Sequence, residues 1–199
     1  MQMRILFLLF MVQCTFAQNV ASSFIEKRWA LFHPFSAVKL KKTYKKAWPI
    51  YLAQNNNTSL DKYISGGKLD AFRHCFMMAA FAQKISLKKI RRLGILHEKA
   101  NYKSYLRWQN EDGELPDSLS SVMDLYNNEI GFKIAKQYHR VGLEELSLLI
   151  IKEIQQGNAL MMKRNKAGDY LNCDGMIIDL SKYRRQWNIP KCLVPTNQN

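Results

Sequence analysis

Nine polar side chains fall where three helical segments turn toward a core: Asp70, Arg73 and His74 in an apolar run, His97, Glu98 and Asn101 on or beside the apolar stripe of a second segment, Asp124, Asn127 and Asn128 on one face of a third. From Ala71 to Ala82 every residue except Arg73 and His74 is apolar, so this run reads as a helix hydrophobic all round and buried at the centre of the fold. At about 100° per residue Asp70, Arg73 and His74 share one face of it. An ionisable group left unpaired in a core costs several kcal/mol, so that face must meet partners. A local Asp70–His74 pair, four residues apart, is the simplest of them.

In the second run Leu87, Ile90, Leu93, Gly94, His97, Asn101, Tyr105 and Trp108 fall on one stripe, with Lys88, Lys89, Arg91, Arg92 and Lys99 opposite. His97 thus sits at the centre of the core-facing stripe and Glu98 at its edge. In the third, Asp124, Asn128, Gly131 and Ala135 line one face with Asn127 beside them. Small Gly131 and Ala135 let another helix approach closely, while the acid and amides offer it hydrogen bonds.

Two chemistries use such a set. Asp70, His74, His97 and Asp124 can hold one divalent metal ion, which activates a bound water. Alternatively His74 or His97 acts as a general base oriented by Glu98, with Arg73 stabilising developing negative charge and Asn101, Asn127 and Asn128 binding substrate. Against both stands a structural hydrogen-bond network between helices. The sequence has no His-Glu-x-x-His, Gly-x-Ser-x-Gly, Walker or dinucleotide motif, which removes the usual support for zincin, serine hydrolase, kinase or nicotinamide chemistry.

The elements that must position these groups are helices over about 68–85, 86–108, 118–140 and 143–156, the last stopping at Gly157. Residues 18–53 are basic and aromatic and predict one or two helices ending near Pro49. Short alternating stretches at 159–163 and 176–180 predict a small hairpin or no regular structure. The expected fold is mainly α, a single-domain helical bundle with an irregular or small β C-terminal tail. Its parts are a signal peptide over 1–17, a basic aromatic helical extension over 18–65, a helical core over 66–157 and a tail over 158–199 packed on that core.

Composition supports one folded unit. The chain has 199 residues, 47% of them apolar, with only nine Gly and five Pro, which excludes collagen-like and disordered classes. Arg4, the apolar run Ile5 to Val12 and Thr15-Phe16-Ala17 have the order of a secretory leader, too short to span a bilayer. Export to a periplasmic or extracellular location follows as an expectation, with no transmembrane segment after cleavage. In that oxidising setting Cys173 and Cys192 can staple the tail, leaving Cys75 as a buried thiol, although other pairings stay open. A net charge of +14, clustered at Lys39 to Lys46 and at Lys182 to Lys191, favours an anionic substrate or envelope polymer. No nucleic-acid-binding signature accompanies it.

The run Asp70-Ala71-Phe72-Arg73-His74, then His97-Glu98, then Met123-Asp124-Leu125-Tyr126-Asn127-Asn128 with Gly131 resembles the signature of an uncharacterised family of bacterial helical domains of unknown function. The resemblance covers roughly 66–157 and implies an exported or toxin-associated helical module with an enzymatic or effector role. Met77, Met78, Ile95 and Tyr126 depart from the family pattern, which has polar groups at three of these places. The expected function is a hydrolase or effector-type enzyme built on the buried cluster. The alternative is a non-catalytic basic protein of the cell envelope.

Overall fold

The computed structural model describes residues 23–198; the leader predicted over 1–17 lies outside them. Six helices dominate: α1 (Phe24–Phe32), α2 (Pro34–Ala53), α3 (Lys68–Ala82), α4 (Leu87–Leu106), α5 (Ser118–Gln137) and α6 (Leu143–Gln155). They are followed by a two-stranded antiparallel ribbon of β1 (Leu160–Met162) and β2 (Leu193–Pro195). The fold is mainly α. No helix among the described residues is long and apolar enough to cross a membrane.

The apolar run around α3 makes it the central element, packed against α5, α6 and α2. Ala71, Phe72, Cys75, Phe76, Ala79 and Ala80 are all completely buried. The Tyr51, Phe72 and Phe76 rings stack in series, with centroids 6.5 and 5.2 Å apart. Tyr51 and Ala47 bring α2 into this same core, so the basic N-terminal region is part of the bundle rather than an extension of it. α2 runs on past Pro49, where a stop was expected. The proline forfeits one backbone bond to the Lys45 carbonyl, but both residues are exposed and the buried face through Ala47 and Tyr51 keeps the helix together.

α5 begins at Asp117, whose carboxylate accepts from the amides of Leu119 and Ser120 while Ser120 Oγ accepts from the Asp117 amide. It then crosses α3 at Gly131. A Cβ at Gly131 would lie 2.3 Å from the Cys75 carbonyl oxygen, so only glycine permits this approach.

β1 pairs with β2, in register Met161 to Val194. The segment 176–180, expected to form the hairpin with 159–163, does not pair with β1 and makes one bridge, Leu171 to Ile177. The chain returns to β1 by a longer route closed by the Cys173–Cys192 disulfide. Met162, Tyr170 and Ile178 pack on Met123 of α5, which anchors the tail to the bundle.

Candidate functional site

The α3–α5 crossing sets the site. Because Gly131 fixes the two helices at contact distance, Asp70 and His74, one turn apart on α3, face Asp124 and Asn128, one turn apart on α5. All four are buried. His74 Nδ1 lies 3.3 Å from Asn128 Oδ1. An amide oxygen only accepts, so this bond requires the ring proton on Nδ1, the tautomer in which Nε2 keeps its lone pair. Nε2 stands 3.3 Å from Asp124 Oδ1, 3.5 Å from Asp70 Oδ1 and 3.3 Å from Arg73 Nη2, which can donate to it. Burial, and then the neighbouring Arg73 guanidinium, hold the His74 pKa well below its ordinary value.

One nitrogen and two carboxylate oxygens, from His74, Asp70 and Asp124, thus lie within 4.8 Å of one another. Ligands held at about 2.1 Å by a tetrahedral or octahedral ion stand about 3 to 3.5 Å apart, which is the spacing of the imidazole to each carboxylate. Asp124 Oδ1 is buried and accepts no hydrogen bond among the described residues. A buried, charged acceptor with nothing donating to it is expensive. Burial, then Asp70 and Glu98, accordingly raise the Asp124 pKa well above the ordinary carboxylate range. Burial also pushes Asp70 up to about 6, against Arg73 and the Gly66 amide, which donates to Asp70 Oδ2 at 2.7 Å.

Asp70, Arg73 and Asp124 line a narrow cleft of about 30 Å³. Its far wall is the loop Glu111 to Asp117, and its rim carries Met162, Tyr170 and Lys191 from the C-terminal region. Arg73 bridges floor and wall, donating to Asp70 at 2.7 Å and to Asp112 of the loop. Lys191 Nζ donates to Asp117 at 2.7 Å and lies 3.9 Å above the Tyr170 ring. Tyr170 donates to Glu114 at 2.6 Å.

His97 does not join the metal-ligand group. Its Nδ1 meets Glu26 of α1 at 2.9 Å and its Nε2 meets Glu111 at 3.1 Å. Burial opposes protonation there, but hydrogen bonds to Glu111 and Glu26 outweigh it and carry the His97 pKa well above its ordinary value. The sequence placed His97 at the centre of the core-facing stripe and Glu98 at its edge; the burial is reversed. Ile90, Gly94, Glu98, Asn101 and Tyr105 form the inner line of α4, and His97 looks sideways at α1. Glu98 Oε2 accepts from Asn101 Nδ2 at 3.2 Å, and burial pushes Glu98 up to about 7 against the pull of His97.

The remaining sequence candidates have other tasks. Asn127 is fully buried and clamps β1, its amide donating to the Leu160 carbonyl at 3.0 Å and its oxygen accepting from the Leu160 amide at 2.9 Å. Cys173 and Cys192 form the disulfide, and Cys75 is a buried free thiol whose pKa burial raises. Of the four departures from the family pattern, Met77, Met78, Ile95 and Tyr126, none lines the cleft. Sequence reasoning missed Glu26, Glu111, Asp112, Glu114, Tyr170 and Lys191. One signal was available: Glu111-Asp112-Gly113-Glu114 concentrates three acids around a glycine in a strongly basic chain.

Comparison with known proteins adds the family and nothing further. Residues 27–158 match the family described as Domain of unknown function (DUF6973), a span that takes in α2 as well as the core helices. No curated protein and no solved structure matches the chain.

Proposed function

The chain belongs to the family described as Domain of unknown function (DUF6973), and from that premise we propose that it is an exported hydrolase whose divalent metal ion is held by Asp70, His74 and Asp124. The observation that carries this reading is the orphaned Asp124 Oδ1, buried 3.3 Å from the His74 imidazole on a residue that lines the cleft. A network made only for packing would complete its hydrogen bonds. Here Asp124 Oδ1 and the neighbouring Glu98 Oε1 are both buried without a partner among the described residues, and a cation held against Asp124 would satisfy the first. Two carboxylates and an imidazole suit Zn²⁺ or Mn²⁺.

Such an ion supplies Lewis acidity and a water that ionises near neutral pH. The chain's own groups do the rest. Asn128 fixes the His74 tautomer and ring orientation, as an outer hydrogen bond does for a ligating imidazole. Arg73 places a permanent positive charge at the junction of floor and wall, where charge developing on a substrate oxygen would meet it. Glu98, which accepts from Asn101, is near enough for its charge to raise the Asp124 pKa. His97, tied to both Glu26 and Glu111, positions α1 and the cleft loop rather than moving a proton.

The test is hydrolysis of chromogenic ester, amide and phosphoester substrates by purified protein with Zn²⁺ or Mn²⁺. Turnover that a chelator removes, the metal restores, and Asp124→Asn or His74→Ala lowers by about a hundredfold or more supports the reading. Turnover unaffected by chelation and by both substitutions overturns it, as does no turnover with any of these substrates and either metal.

A further inference from the structure

The most exposed large apolar side chains lie together. Phe35, Phe24 and Leu31, accessible to 86, 79 and 76%, are the three most exposed of them among the described residues. With exposed Phe32 and Val38 they occupy α1 and the first turns of α2, on both sides of the one-residue joint at His33. The same stretch has no acid between Lys27 and Leu60. It carries exposed Lys27, Arg28, Lys39, Lys42, Lys45 and Lys46.

We propose that this face of α1 and α2 docks on an anionic lipid surface, its phenylalanines and Leu31 entering the boundary between headgroups and acyl chains and its lysines meeting lipid phosphates. Apolar and cationic side chains presented together are the pattern of an interfacial helix. Charge decides between occupants. A second copy would bring the same positive charge to the contact, which opposes association. A soluble polyanion would pair with the lysines and leave the phenylalanines in water.

The other side of α1 is already fixed. Trp29 is buried, and Glu26 uses one carboxylate oxygen to accept from the Ser23 amide at 2.7 Å and the other to hold His97 at 2.9 Å. The helix therefore cannot roll its outer face inward, and that face stays presented to solvent.

The experiment is co-sedimentation of the full chain with phosphatidylcholine vesicles, with and without phosphatidylglycerol, alongside L31S/F32S/F35S and K42E/K45E/K46E. The leader is the same in all three proteins, so differences report the face itself. Circular dichroism checks that each is folded, and Phe35→Ser alone, at the most exposed position, serves if the triple variant is not. The expected result is binding that requires phosphatidylglycerol and falls about tenfold or more in each triple variant. Equal binding by all three proteins, or no binding by the unaltered chain, overturns the proposal. So does a concentration-dependent dimer in ultracentrifugation that the serine variant abolishes, since the face would then be covered by a second copy.

Discussion

Gly131 on α5 touches the backbone of Cys75 on α3 so closely that an added Cβ would sit 2.3 Å from its carbonyl oxygen and 3.1 Å from its Cα. This contact holds His74, the residue next to Cys75, opposite Asp124 and Asn128. The site therefore depends on a residue with no side chain.

Gly131→Ala is expected to destabilise by at least the 1 to 3 kcal/mol typical of overpacking, about the upper end here because the obstruction is backbone. Gly142→Ser is the control: a Cβ there meets nothing within 4 Å, and the serine can cap α6, which has no side-chain cap. Urea unfolding of both variants checks this. A Gly131→Ala protein as stable as the parent would show that α3 and α5 can part freely.

Lys191→Met is expected to cost about 1.5 to 3 kcal/mol, because Asp117, 1% exposed, loses its charged partner on Oδ2 and keeps only the two α5 amides on Oδ1. Arg91→Ala, which breaks an exposed pair with Glu129, is expected to cost about 1 kcal/mol or less. The comparison by chemical denaturation fails if the two substitutions cost the same.

The tie between α1 and α4 has a definite pH window. The folded pKa of His97 is raised, so its contribution is fully present below the unfolded value of about 6.5 and is lost as pH rises through the folded one. Burial opposes it, but hydrogen bonds to His97 and Ser23 lower the Glu26 pKa. Its contribution is therefore lost in the other direction, as pH falls through the folded value. Amide protection over 24–32, with the base-catalysed intrinsic rate divided out, is expected to be greatest between these limits and to fall at alkaline pH. His97→Gln should remove that alkaline fall in protection; an unchanged protection profile in that variant would refute the ion pair as its source.

Reduction of Cys173–Cys192, which closes a loop spanning 19 positions, is expected to cost about 3 kcal/mol. Because Lys191 is next to Cys192, reduction should also speed exchange at the Asp117 end of α5. Loss of stability without that local effect would show that the rim does not depend on the bridge.

The helices were legible in the sequence because their apolar periodicity is strong, and Gly131 and Ala135 announced a close crossing. Asp70, Arg73 and His74 were legible because charge inside an apolar run needs partners, and Asp124 because it shares a face with Asn128, Gly131 and Ala135. The partners of His97 were not legible. A histidine on an apolar stripe looks inward by angle alone, and only the lateral packing of α1 decides that it turns toward Glu26. Nor was the β1 partner visible, since Leu193-Val194-Pro195 is three residues long and contains a proline. Lys191 and Tyr170 reach the cleft only because the disulfide and the ribbon fold the tail back over α5.

The central claim is that Asp70, His74 and Asp124 together hold one divalent ion, and calorimetric titration of chelator-treated protein with Zn²⁺ and Mn²⁺ tests it most directly. The account predicts one ion per chain, and affinity at least about a hundredfold weaker in Asp124→Asn. Glu111→Gln, whose target lies on the opposite wall, should change affinity far less. Absence of binding in the unaltered chain, or equal binding in Asp124→Asn, would contradict it.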